Sequence, residues 1–126
     1  MNIVILSGRL SSAPRCTELP SGTVRWNLEV SCPDVAGRLV GVPVAWEGDV
    51  PVSWAAATPV VVTGSVRRRF FRTPGGTQSR TEVVAVAVIE VTRRRSEQAA
   101  LTRAMRCLGS DGATALRSVL GAPPAA

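Results

Sequence analysis

Short valine-rich runs, separated by turn residues, constrain the fold of this chain more than any other feature. Valine is the most frequent apolar residue among the 126 residues. In the run 24–30, valine, tryptophan and leucine alternate with arginine, asparagine and glutamate. A period of two is typical of a strand with one buried face. The pattern therefore predicts an all-β core.

Five strands are predicted, with a short helix or helical turn after the third. The strands cover residues 2–10, 24–30, 38–46, 60–72 and 79–92, and the helical insert covers residues 52–57. Pro43 favours an edge position or a bulge for the third strand. Strands in this order, with a helical insert after the third, are expected of a Greek-key barrel of the OB type.

Beyond residue 95 the apolar period changes to that of a helix. Ser96 predicts the N-cap of a helix that ends at Gly109, and residues 113–120 predict a second helix. We expect a barrel domain over residues 1–95, a helical extension over 96–120 and a disordered tail over 121–126. The helices are expected to pack on the barrel or on a neighbouring subunit.

The composition argues against an enzyme. The chain contains no histidine, which is the commonest general base and metal ligand. Its three cysteines, Cys16, Cys32 and Cys107, are odd in number, far apart and not in a C-x-x-C arrangement, which indicates neither a disulfide framework nor a zinc site. We expect no catalytic residue, metal or cofactor. The first apolar run is too short to span a membrane, so we expect a cytoplasmic protein.

The charge of the chain is carried by arginine alone and is unevenly distributed. Fifteen arginines and nine acids give a net charge of +6. Four arginines and five acids give −1 over residues 1–66, and eleven arginines and four acids give +7 over residues 67–126. One explanation of the arginine runs is a solvated surface, with arginine frequent because the coding sequence is rich in G+C. The other is a surface that binds polyanions. Phenylalanines inside the run 67–72 favour nucleic acid, because bases stack on aromatic rings.

Five segments together resemble the bacterial single-stranded DNA-binding proteins, a family of OB-fold homotetramers. The segments are Asn2-Ile3-Val4-Ile5-Leu6-Ser7-Gly8-Arg9-Leu10, Leu19-Pro20-Ser21-Gly22, Asn27-Leu28, Val60-Val61-Val62-Thr63-Gly64-Ser65-Val66-Arg67 and Thr81-Glu82-Val83-Val84. They occur in the family's order at nearly its spacings, over about residues 2–92. The resemblance implies a homotetramer that binds single-stranded DNA in replication, recombination or repair, in the cytoplasm and associated with the nucleoid.

The resemblance also implies which residues touch DNA. The family's stacking aromatics correspond here to Phe71 and Trp46, whereas a third falls on Val40 and a fourth has no counterpart in the short loop before residue 38. Family members commonly end in an acidic tail that recruits other proteins, and this sequence has no acid after Asp111. Recruitment through such a tail is therefore not expected, and the pattern suits a specialised paralogue.

The candidate contacts are one or two aromatics and a set of arginines. Phe71 is expected either to stack on bases or to form an interface, and Trp46 either to stack or to pack at the core or rim. Phe70 and Trp26 are expected in the core, and Trp54 as a plug of the barrel's open end. The preferred phosphate contacts are Arg67, Arg69 and Arg72, and the secondary ones are Arg9, Arg25, Arg38 and Arg80. The arginine run 93–95 either extends the path of the bound DNA or is solvated.

Three functions remain open from the sequence. The first is sequence-tolerant binding of single-stranded DNA. The second is a non-catalytic OB subunit of a primosome-like or recombination assembly, docking through its C-terminal helices. The third is RNA binding, because stacking and charge do not distinguish ribose from deoxyribose without a contact to the 2′-hydroxyl.

Overall fold

The computed structural model describes residues 1–121, in which six strands are followed by two helices. The elements are β1 Val4–Leu10, β2 Arg15–Glu18, β3 Val24–Pro33, β4 Leu39–Trp46, β5 Pro59–Thr73, β6 Gly76–Glu90, α1 Glu97–Arg106 and α2 Gly109–Leu120. All five predicted strands are present, as β1, β3, β4, β5 and β6, and β2 is an additional short strand. Apart from Gly121, the predicted tail lies outside the described residues.

The sheet closes on itself through β1. Its strand order is β1-β5-β6-β4-β3-β2, and β1 also pairs with β3, where Leu10 lies opposite Val30. The link between the two halves of the sheet is a short parallel pairing of β4 with β6, with Val44 opposite Val83. The result is a closed barrel of five strands, with β2 added at the edge of β3. This architecture confirms the predicted fold class.

The barrel interior is filled by aliphatic side chains and one tryptophan. Leu28, Val30, Val60 and Val62 are buried in a single cluster that also contains Trp54. The indole N–H of Trp54 donates to a carboxylate oxygen of Glu90 at 3.0 Å, which satisfies the one polar atom of the ring. Trp54 is therefore a buried member of the core cluster, and its role as a plug of the barrel's open end stays a prediction.

The segment between β4 and β5 contains no helix. It forms two turns, in which the N–H of Trp54 donates to the carbonyl of Pro51 and the N–H of Thr58 donates to the carbonyl of Ala55. Ala57 has a φ of 73°, a left-handed conformation that ends a right-handed helix. Of the predicted helical insert over residues 52–57, only turns are present.

Helix α1 is part of the barrel's packing, whereas α2 is not. The hydroxyl of Ser96 accepts from the N–H of Ala99 at 3.1 Å, which confirms the predicted N-cap. Ala100 and Ala104 are fully buried against β5 and β6, and the hydroxyl of Thr63 donates to the carbonyl of Ala104 at 2.7 Å. Helix α2 has no buried residue. The predicted domain boundary at residue 95 thus lies between α1 and the sheet on which α1 packs.

The hairpin of β5 and β6 extends beyond the barrel. Pairing of β1 with β5 ends at Gly64, and β4 meets β6 only at Val83 and Val84. Asn2 ends the paired edge, since its amide donates to the carbonyl of Val66 and accepts from the N–H of Val66. Beyond these points, residues 67–82 pair only with one another. We call this projecting hairpin the arm.

We expect Gly64→Ala to destabilise the fold. A Cβ at residue 64 would lie 2.1 Å from the carbonyl oxygen of Val84, a backbone atom that is fixed by the sheet. The free energy of unfolding should fall by about 1–3 kcal/mol, as for other overpacked sites. Urea denaturation measures this loss. In the same hairpin, Gly75→Ala is the matched control, because the nearest atom to its Cβ is 3.9 Å away; equal midpoints for the two variants would contradict the expectation.

Candidate functional site

One face of the arm collects its basic and aromatic side chains. In the antiparallel register, Arg67 lies opposite Glu82, Arg69 opposite Arg80 and Phe71 opposite Gln78. Residues two apart along a strand, and residues opposite each other across a pair, point to the same side of a sheet. These side chains therefore share one face of the arm, which we call the groove face.

The groove face continues into a concavity between the arm and the β2–β3 hairpin. This groove has a volume of about 590 Å³. It is lined by Ser12, Arg15, Cys16, Thr17, Arg25, Asn27, Leu28, Glu29, Arg69 and Arg80. Four arginines and one carboxylate thus surround it. Strand β2 is fixed there by a hydrogen bond of 2.9 Å from the amide of Asn27 to the hydroxyl of Thr17.

A buried carboxylate holds two of the arginines in place. Glu82 is 5% exposed. Nitrogen atoms of Arg67 and Arg69 lie 2.7 and 3.4 Å from its carboxylate oxygens. Arg25 is close enough for its positive charge to stabilise the carboxylate. Burial raises the pKa of Glu82, but the hydrogen bond from Arg67 and the charges of Arg69, Arg67 and Arg25 outweigh burial and lower the pKa below its ordinary value. Glu82 is therefore ionised at neutral pH and orients the arginines.

Phe71 lies beside one of these arginines. The guanidinium carbon of Arg69 is 5.5 Å from the centre of the Phe71 ring, within the range of a cation–π contact. The Phe71 side chain is only partly buried. The arm therefore presents an aromatic ring and a positive charge side by side, a combination suited to a base and its neighbouring phosphate.

The structure brings five of the predicted contact residues together and leaves four elsewhere. Phe71, Arg67, Arg69, Arg80 and Arg25 lie on the groove face or line the groove. Arg72 lies on the opposite face of the arm, across from Thr77. Arg9 donates to the carbonyl of Ala57 on the far side of β1, and Arg38 lies in the loop before β4.

Trp46 is the fourth of the residues placed elsewhere, and it packs against the core. It lies opposite Trp26 in the register of β3 and β4, on the interior face, and both rings contact the core cluster. Its indole N–H donates to the carbonyl of Asp49 at 3.2 Å. Of the two roles expected for Trp46, the structure shows packing.

Phe70 does not lie in the core. Its side chain is 65% exposed, so the expectation for this residue was wrong. Alternation does place Phe70 on the side of the arm opposite to Phe71, and this side projects beyond the barrel and is exposed.

Two residues of the site were missed, and one run of arginines lies apart from it. Arg15 was not predicted because β2 has only four residues, all exposed, and no apolar alternation. Glu82 was noted as part of a motif, but only the register shows that it pairs with Arg67. Arginines 93–95 follow Glu90, at the opposite end of β6 from the arm. The basic residues therefore do not form one edge.

Among residues 1–121, no group of three or more histidine, cysteine, aspartate or glutamate side chains is placed to hold a metal ion. Neither α1 nor α2 is long and apolar enough to cross a membrane.

The fold and this face define an OB-type barrel with an arginine-lined groove beside a projecting hairpin. No family model matches the chain, and no curated protein matches it. Among solved structures, the chain is similar to the dimeric N-terminal domain of PriB protein from Thermoanaerobacter tencongensis, with 16% identity and a TM-score of 0.59. The match covers 73% of this chain and 98% of that one. At this identity the likeness shows the fold, and membership of the single-stranded DNA-binding family stays a prediction.

We expect Glu82→Gln to weaken the fold more at neutral pH than at acid pH. The lowered pKa of Glu82 means that its ion pairs add stability above the ordinary value of 4.5, and that this stability is lost as the pH falls through the folded-state pKa. The variant should lose about 1–3 kcal/mol of unfolding free energy at pH 7, as for a hydrogen bond to a charged group.

Urea denaturation of both proteins at pH 7 and near pH 3 measures this difference. The control is Glu18→Gln, because Glu18 is exposed on β2 and has no salt bridge among residues 1–121. A Glu82→Gln deficit that is as large at pH 3 as at pH 7 would show that the carboxylate charge is not its cause.

Proposed function

We propose that this chain binds single-stranded DNA without sequence preference along the groove face. Bases stack on Phe71, and Arg67 and Arg69 contact the phosphates, with Arg25 and Arg80 as further contacts. The observation that carries the proposal is the placement of Phe71 and Arg69 side by side on a face that leads directly into a groove lined by four arginines.

The charge of the arm supports binding to a polyanion. Residues 67–82 hold five arginines and one glutamate, a net charge of +4. Neutralising phosphates with such side chains releases condensed counterions and favours binding at low salt. An exposed ring accepts the face of any base, which is why binding of this kind tolerates sequence. Arg72, on the opposite face, contacts the single-stranded DNA only where the DNA passes round the arm. Trp46, Arg9 and Arg38 lie outside the proposed path of the DNA.

Self-association and biological process are part of the proposal. The family resemblance implies a homotetramer, and the structural neighbour was solved as a dimer. We propose a homo-oligomer that acts on single strands in replication, recombination or repair, in the cytoplasm and near the nucleoid. The proposed role is binding and not catalysis.

A second candidate function is an interaction subunit of a primosome-like or recombination assembly. It is favoured by α2, which has no buried residue and carries Val119 and Leu120 in exposed positions. A truncation after residue 95 does not test this role cleanly, because it also removes α1 and uncovers Val61 and Ala87. A chain that only docks through α2 would not bind oligo-dT, so the measurements below separate the two candidates.

We expect Phe71→Ala to weaken binding to oligo-dT about 5-fold to 150-fold, the loss of about 1–3 kcal/mol for one stacked base. Fluorescence anisotropy with a labelled oligonucleotide measures the Kd. The matched control is Phe70→Ala, which removes a neighbouring ring from the opposite face of the arm. An equal loss in both variants would contradict the assignment of the groove face, and equal affinity of the wild type for oligo-rU would extend the ligand to RNA.

The double substitution Arg67→Ala/Arg69→Ala should lower the salt dependence of binding. Each phosphate contact contributes about 0.7 to the slope of log Kd against log salt for a single strand, so the slope should fall by about 1.4. The control is Arg93→Ala/Arg94→Ala, which removes the same charge at the opposite end of β6. The proposal fails if the two double variants change the slope equally, or if the wild type does not bind long oligo-dT at low salt.

A further inference from the structure

The groove contains an arrangement of like charges that the folded chain does not neutralise by itself. Arg69 and Arg80 lie directly opposite each other across β5 and β6. Like charges in this position destabilise an antiparallel pair. Among residues 1–121, Arg80, Arg15 and Arg25 form no salt bridge, and Glu82 pairs only with Arg67 and Arg69.

Two of the groove arginines also have buried donors without acceptors. The Nε atoms of Arg25 and Arg69 are buried and make no hydrogen bond among the described residues. The Nε of Arg69 is 3.4 Å from Glu82, an ion-pair distance without hydrogen-bond geometry. A buried donor without an acceptor is costly, so the folded chain by itself leaves both guanidinium groups incompletely satisfied.

The lining of the groove indicates the class of ligand that it fits. Its side chains include no aromatic ring, whereas a stacking platform for bases, Phe71, lies beside the groove on the arm. Guanidinium groups bind phosphate oxygens in a forked geometry, and the groove's volume of about 590 Å³ exceeds that of a single phosphate. The amide of Asn27 and the hydroxyl of Thr17 add polar contacts at the same wall.

We infer that the groove is a preformed pocket for two adjacent phosphates of a single-stranded nucleic acid, held by Arg15, Arg25, Arg69 and Arg80. This inference rests on the proposed function and adds a site for the backbone that is separate from the stacking ring of Phe71. Phosphates in this pocket neutralise the opposed pair Arg69 and Arg80 and accept from the guanidinium groups that line the groove. The same chemistry also suits a free oligophosphate.

The three cysteines provide a direct test on the unmodified protein. Cys16 is exposed and lines the groove, Cys107 is exposed at the end of α1, and Cys32 is buried. Alkylation by iodoacetamide, followed by mass spectrometry, is to be measured with inorganic pyrophosphate and separately with oligo-dT. At ten times the Kd, either ligand should slow alkylation of Cys16 about tenfold by mass action and leave Cys107 unchanged.

The variant Arg80→Gln should lose the protection of Cys16, and Arg93→Gln should retain it. Arg80→Gln removes a like-charge contact, so it should unfold at a temperature no lower than the wild type, which shows that any loss is not due to misfolding. If Arg80→Gln fails this check, Arg15→Gln replaces it.

Each remaining outcome decides the inference. Protection of Cys16 by pyrophosphate but not by oligo-dT overturns the nucleic-acid source and leaves a site for a free oligophosphate. Protection by oligo-dT alone, or equal protection of Cys107, overturns the preformed pocket. If Cys16 is unprotected while Phe71-dependent binding of oligo-dT persists, the pocket is wrong and the proposed function stands.

Discussion

The double pairing of β1 is the constraint on which the rest of the structure depends. Because β1 pairs with β5 on one side and with β3 on the other, the sheet closes and its valine face becomes the interior of a barrel. Closure also fixes how much of each strand is paired with a neighbouring strand of the barrel. The partners of β5 and β6 end near Gly64 and Val83, so the remainder of these two strands projects as an arm beyond the barrel. The exposed Phe70 and the partly buried Phe71 are consequences of that difference in length.

Charge on the groove face is arranged around a single buried carboxylate. Glu82 lies in the middle of the arginine cluster, and its negative charge lowers the local repulsion where Arg67 and Arg69 meet. It does not reach Arg80 or Arg15, so the groove keeps a surplus of positive charge. Glu82 thus both stabilises the fold and orients the arginines that we propose to contact DNA. Residual repulsion between Arg69 and Arg80 is then the feature that we propose an anionic ligand relieves.

Some features of the site followed from the sequence because they depend on local spacing. Alternation along residues 60–72 puts Arg67, Arg69 and Phe71 on one face, and the structure shows them there. Other features depend on which strands meet. Trp46 is interior because it lies opposite Trp26, and Arg15 joins the groove because the short strand β2 pairs with β3. Neither pairing leaves a signal in the spacing of residues along the chain.

The sequence by itself determined the all-β class, the order of five strands, the capped helix after Ser96 and the excess of arginine in the second half. These follow from period, turn residues and composition, which are local properties. Only the tertiary structure decided that the arginines divide between the two ends of β6, that Glu82 is buried among them, and that Arg15 and Arg25 face Arg69 and Arg80 across a groove. The physical reason is register. Residues distant in sequence become neighbours through backbone hydrogen bonds between strands, and those bonds carry no information about side-chain type.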